Sequence, residues 1–124
     1  MMRRLLIVLM TTMALAALGQ TYTVRATIYH PGTAGVGWVT ASGSRISSDK
    51  LNKHRIRWVA LSPDLFKKGF RMGDRIRLTC KEHPHMNGVW VVKDRMARRM
   101  RNRIDLLVPR GTKFNPCKVK ITKL

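Results

Sequence analysis

Acidic side chains are scarce in this sequence. Six Asp and Glu stand against 25 Lys and Arg in 124 residues, a formal charge of +19. Any acid–base chemistry must draw on Asp49, Asp64, Asp74, Glu82, Asp94 and Asp105. Aromatics are also few, at 6%, so a core has to rest on aliphatic and Met side chains. The same shortage removes the stacking platforms on which bases are usually bound. Two cysteines exclude a disulfide-dense mini-protein. The length excludes a multi-domain enzyme, and recurrent apolar, strand-like runs exclude a disordered polybasic tail.

Residues 1–19 have the form of a secretory signal peptide. Arg3 and Arg4 supply the positive start, and an apolar stretch from Leu5 to Leu18 is broken only by Thr11 and Thr12. Ala17-Leu18-Gly19 then offers small residues at the two positions a signal peptidase reads. The stretch is too short to span a bilayer comfortably. The expected mature domain is 20–124, exported to the periplasm or the extracellular envelope, with no transmembrane segment after cleavage. In an oxidising compartment Cys80 and Cys117 are expected to pair as a disulfide, which would stabilise the fold by about 4 kcal/mol. Two free buried thiols are the alternative.

No His clusters with the two Cys in the sequence, and His83 and His85, which flank Pro84, lack an evident third ligand. No metal and no cofactor are therefore expected. A strongly cationic exported domain attracts envelope polyanions: stem-peptide carboxylates of peptidoglycan, lipopolysaccharide phosphates or anionic lipids. Nucleic acid is not expected as a partner, and the domain is expected to be a monomer.

The chain from 20 onward reads as short strands. Tyr22, Val24, Ala26 and Ile28 alternate within 21–29; 38–40 is a candidate short strand; 56–61, 75–80, 89–93, 104–108 and 118–124 are further strand-like runs. Between them, 41–54 is polar and loop-like, 63–69 is a turn or one helical turn, and 83–88 ends in an Asn-Gly suited to a hairpin loop. The stretch 94–102 reads as a short helix capped by Asp94. Six or seven short strands with Gly and Pro punctuation indicate an all-β barrel or sandwich. Composition does not choose between the two.

Asp94 leaves one apolar strand, and Asp105 sits inside the next. A carboxylate in an apolar β-run is costly unless it is paired or used. Ser42 and Ser62 have no recognisable triad partner, which argues against a serine hydrolase. Trp38, Trp58 and Trp90 lie in strand-like runs and suit a core, and one of them, if exposed, could stack on a sugar ring.

Asp94 together with Arg103-Ile104-Asp105-Leu106 resembles the end of the three-aspartate (3D) domain, and also the related rare-lipoprotein-A family. Ala26-Thr27-Ile28-Tyr29-His30-Pro31 resembles the opening strand of these domains. Thr40-Ala41-Ser42-Gly43-Ser44 resembles their Thr-Ala-Ser-Gly loop. Val59-Ala60-Leu61-Ser62-Pro63 with Met72-Gly73-Asp74-Arg75-Ile76 resembles their middle strands. The motifs occur in the right order over most of 20–124. The resemblance implies a six-stranded double-psi β-barrel with short helical turns, acting on peptidoglycan. It places Asp94 and Asp105 as catalytic residues and His30, Ser42, Ser62, Arg95 and Arg103 around the substrate. One family acid is absent, with Ser62 in its place.

The activity implied is that of a lytic transglycosylase, which cleaves glycan strands without water. One Asp protonates the glycosidic oxygen, and the sugar's own 6-hydroxyl then attacks the anomeric carbon. A non-catalytic, basic peptidoglycan-binding module is the alternative. The two differ in one physical requirement. A general acid needs a raised pKa, yet Arg95, Arg98, Arg99, Arg101 and Arg103 crowd the same segment. Cutting requires those guanidinium groups to point away while the two carboxylates share a groove.

Overall fold

The computed structural model describes residues 19–33 and 35–124, so the expected signal peptide lies outside the described residues except for Gly19. Six strands form: β1 Thr21–Tyr29, β2 Trp58–Leu61, β3 Arg75–Thr79, β4 Gly88–Arg95, β5 Arg103–Leu107 and β6 Cys117–Lys123. Two short helices, α1 Ser48–Asn52 and α2 Pro63–Lys67, and one 3-10 turn at Pro84–Met86 complete the elements.

The strands close into a barrel in the order β1-β5-β2-β4-β3-β6, with β6 returning to β1. The β1/β5 and β2/β4 pairs are parallel, and the other four are antiparallel. This is the double-psi β-barrel. Closure leaves no free edge to pair with another chain. Alternation drives the packing: Val24 and Ala26, Ile76 and Leu78, Trp90 and Val92, Ile104 and Leu106, and Val119 and Ile121 all point inward and are buried. Aliphatic side chains carry most of that core, as the low aromatic content requires.

Several expectations are corrected. Residues 94–102 do not form a helix. β4 runs on through Asp94 and Arg95 because β2 offers parallel partners at Ala60 and Leu61, and the stretch after it is turn and bend. The polar stretch 41–54 contains α1, whose N-cap Ser47 accepts a hydrogen bond from the Lys50 N–H. The candidate strand 38–40 contributes a single bridge, Val39 to Arg45. The hairpin loop holds the 3-10 turn. Cys80 and Cys117 do meet in the barrel wall, but as free thiols with sulfurs 3.7 Å apart, so the expected disulfide is not formed in this structure.

The turn into β5 is held by a polar clamp. Ser62 is fully buried. Its N–H donates to the Arg103 carbonyl, and its Oγ accepts from the Arg103 N–H, both at 3.0 Å. Asp64 accepts the Asn102 N–H with both oxygens, at 2.9 and 3.1 Å. Those bonds hold Asn102 in a left-handed conformation (φ 53°), which Asn tolerates better than most residues. Ser62 was expected at the substrate. Its burial and its two backbone bonds make it a structural residue instead.

Partial desolvation pushes the Asp64 carboxyl up. The nearby Ser62 hydroxyl, the N–H groups of Asn102 and of Asp64 itself, and the Lys68 charge together outweigh it and hold the group below its ordinary value. The stabilisation this gives is present above about pH 4, the unfolded value, and is lost as pH falls through the depressed folded value. Thermal unfolding should show Ser62→Ala destabilised by about 1–3 kcal/mol, because the Arg103 N–H loses its buried partner. Asp64→Asn should be less stable than wild type at neutral pH, with the difference shrinking in acid.

Candidate functional site

The register of three strands sets the site. Ala60 of β2 lies opposite Asp94 on one side and opposite Asp105 on the other. Thr27 of β1 lies opposite Asp105 in turn. The row across the wall is therefore Thr27, Asp105, Ala60, Asp94, with the two acids two strand spacings apart, about 10 Å between their backbones. A bulge makes this possible. Val59 pairs with Val92 but Ala60 pairs with Asp94, so Lys93 is the extra residue. The bulge resets the alternation and turns Asp94 to the same outer face as Asp105.

Both carboxylates line one open groove of about 390 Å³. Its floor includes Ala60, where a methyl leaves room that a larger side chain would fill. Tyr29 and Ile46 stand along it, Val36 and Val39 come from the loop after β1, and Met96, Ala97 and Met100 form an apolar wall from the segment after β4.

The acids are held differently. Asp94 Oδ1 accepts the N–H groups of Ala41 and Arg95, each at 2.9 Å. Its Oδ2 accepts the Tyr29 hydroxyl at 3.3 Å. Three donors from three parts of the chain thus fix its orientation. Among the described residues, Asp105 Oδ1 accepts one hydrogen bond, from the Thr27 hydroxyl at 2.9 Å. Burial pushes the Asp105 carboxyl above its ordinary range. The Thr27 hydrogen bond opposes that rise, the Asp94 charge adds to it, and His30 opposes it weakly. Tyr29 keeps its proton throughout: burial, the charges of Asp94 and Asp105, and its bond to Asp94 all drive its pKa far up.

Among the described residues no arginine forms an ion pair with either groove acid; the ion pairs are Lys53–Asp49 and Lys123–Asp74. Arg95 gives Asp94 its backbone N–H while its guanidinium lies over Phe66, 4.6 Å from the ring centre. Arg101 turns back onto the carbonyls of Arg98 and Met100, at 2.7 and 2.9 Å. The Arg95 and Arg101 guanidinium groups are thus turned onto a ring and onto backbone carbonyls, while the two carboxylates line one groove.

The other expected contact residues divide. Arg95 lines the groove. His30 is half-buried, with Nδ1–H donating to the Val108 carbonyl at 3.1 Å, and its charge reaches Asp105. Ser42 is exposed on the loop whose Ala41 N–H binds Asp94, and hydrogen-bonds to Thr40 and Ser44 at 2.8 and 3.0 Å. Arg103 sits in β5 with its backbone tied to Ser62, and it is not part of the groove lining. Tyr29, Thr27 and Ala60 are site residues that sequence reasoning did not single out. The period of two that sent Val24 and Ala26 inward also sends Thr27 and Tyr29 to the acids' face. That signal was present in the sequence.

Trp38 is 43% exposed, next to the groove-lining Val39. Its ring packs against Gly32, whose left-handed backbone (φ 77°) leaves no space for a Cβ beyond about 3.2 Å from the indole. Glycine there lets the loop hold the ring in place without burying it.

No protein-family model and no curated protein matches this sequence. Solved structures do match. An apo expansin of Clavibacter michiganensis aligns with a TM-score of 0.57 at 16% identity, over 85% of this chain and 50% of that one. A point mutant of that expansin in complex with cellohexaose gives a TM-score of 0.57 at 15% identity, with the same coverage. The Streptomyces papain inhibitor gives 0.52 at 18% identity, over 86% of this chain and 96% of that one. The chain spans about half the length of the expansin it matches. At these identities the likeness is one of fold, and it agrees with the double-psi barrel.

An acid whose folded pKa is raised gives stability that is present below the unfolded value and lost as pH rises through the folded one. Asp105→Asn removes that loss and keeps a partner for Thr27. Its melting temperature should exceed that of wild type at neutral pH, with the gain disappearing well below about pH 4.

Proposed function

We propose that this is an exported cell-wall protein that engages peptidoglycan glycan strands and cleaves them as a lytic transglycosylase, with Asp105 as the acid and then the base. The observation that carries the reading is the unequal treatment of two carboxylates in one groove. Paired acids whose surroundings separate their proton affinities are how one site runs acid and base chemistry near neutrality. Asp105, buried and beside another carboxylate, favours its proton. Asp94, its orientation fixed by three donors, faces the same groove.

Each step uses the chain's own groups. A glycan strand lies in the groove with its scissile oxygen near Asp105, which donates its proton as the bond to the anomeric carbon breaks. The sugar's 6-hydroxyl attacks that carbon and returns its proton to Asp105. No water is activated, so the second carboxylate of an ordinary hydrolase is not needed as nucleophile or base. Tyr29 holds Asp94 in place, and Trp38 offers an aromatic face for a neighbouring sugar. The cationic surface draws the protein to a polyanionic wall.

A second reading is a binding module that does not cut. The exposed Trp38 beside an open groove supports it, since that pairing can hold a sugar chain without any chemistry. Purified sacculi separate the two. Asp105→Asn should abolish release of anhydro-muropeptides while sacculus pull-down is retained. Wild-type protein that binds sacculi and releases none would establish the module. Under either reading Trp38→Ala should weaken sacculus binding several-fold without changing the melting temperature, because stacking contributes about 0.5–1.5 kcal/mol and the ring is not core.

A further inference from the structure

Outside the groove the fold assembles a second set of reactive side chains. Strands β3 and β6 pair antiparallel, with Thr79 opposite Lys120. The pairing ends at Thr79, and the bend that follows at 81–82 leaves Glu82 beside Cys117, the first residue of β6. His83 follows, its ring stacked on Phe114 at 4.3 Å between centres, and its Nε2 accepts the Asn115 N–H at 3.1 Å. An acceptor nitrogen carries no proton, so its lone pair faces the segment that leads into Cys117. A carboxylate oxygen of Glu82, a ring nitrogen of His83 and the Cys117 sulfur all lie within 4.8 Å of one another. The Cys80 sulfur is 3.7 Å from that of Cys117.

We propose that Glu82, His83 and Cys117 form a binding site for a borderline-soft divalent transition-metal ion such as Zn2+, with water as the fourth ligand and the Cys80 thiol as a neighbour of the bound sulfur. One thiolate, one imidazole and one carboxylate suit that class of ion, and they suit Mg2+ or Ca2+ poorly. Bond lengths of about 2.0–2.3 Å put tetrahedral ligands roughly 3.3–3.8 Å apart. From separations of up to 4.8 Å the donors must therefore close by at most about 1–1.5 Å, and the exposed Glu82 side chain has that freedom. Sequence spacing hid the site, because His83 lies in the connection after β3 while Cys117 opens β6, and they become neighbours only when β6 docks on β3.

The test is a Co2+ titration of reduced, metal-free, full-length protein without oxygen. One equivalent should give a thiolate-to-cobalt charge-transfer band and the intense visible bands of four-coordinate Co2+, both abolished by added Zn2+. Cys117→Ser should lose the charge-transfer band. His83→Ala changes a partly exposed ring and leaves the barrel folded. It should weaken binding by at least the roughly 10–100-fold that loss of an outer-shell partner costs. Cys80→Ser, which cannot form the disulfide, should retain both band and stoichiometry. The proposal is overturned if reduced wild-type protein gives no charge-transfer band. It is also overturned if the band requires Cys80 but ignores His83→Ala, or if the two cysteines persist as a disulfide under thiol reductant. None of these outcomes bears on the groove.

Discussion

Two carboxylates on either side of one alanine, with no cation paired to either among the described residues, are an expensive arrangement in a protein this basic. Each acid in an apolar strand must be hydrogen-bonded or must hold its proton. The barrel uses both solutions. Asp94 receives two backbone N–H groups and a tyrosine hydroxyl. Asp105 receives one threonine hydroxyl, and burial favours its protonated form. Pairing either with an arginine would cost less and would remove the asymmetry. The chemistry proposed for the groove depends on that pairing being avoided.

The rest of the structure serves this avoidance. The other four acids are placed elsewhere: Asp49 and Asp74 pair with lysines, Asp64 holds the turn before β5, and Glu82 lies beside Cys117. Cations near the barrel wall are laid over aromatic rings. Arg95 lies on Phe66, Arg57 on Trp90, Lys93 on Trp58 and Lys68 on Tyr22. Such contacts place a charge with little desolvation and take no carboxylate as partner. The few aromatics thus pack the wall and also seat its cations.

Five of the six strands were legible almost to their ends, because alternation is strong in β1, β3 and β6 and short apolar runs mark β4 and β5. β2 is shorter than its apolar run. What escaped was anything set by a neighbouring strand. Asp94 read as a helix cap, since a strand ending in Asp-Arg followed by Met and Arg at helical spacing looks alike in isolation. Parallel pairing with Ala60 and Leu61 decided otherwise. The bulge at Lys93 leaves no mark in sequence, yet it brings Asp94 round to the face of Asp105. Ser62 resembled a groove residue by motif position and proved to be a buried clamp. Closure into a double-psi barrel came from motif order, as composition alone admitted a sandwich. Tyr29 was legible in the alternation of β1, and its tie to Asp94 was not. Glu82, His83 and Cys117 meet through tertiary register alone.

Burial, with the neighbouring Asp94 charge adding to it, raises the proton affinity of Asp105. Carboxyl 13C chemical shifts of labelled protein, followed through a pH titration, read that directly. Asp105 should titrate clearly above the ordinary carboxylate value of about 4, and replacing Asp94 with Asn should move its midpoint down. A midpoint at or below the ordinary value, or one indifferent to the charge at position 94, would contradict the account.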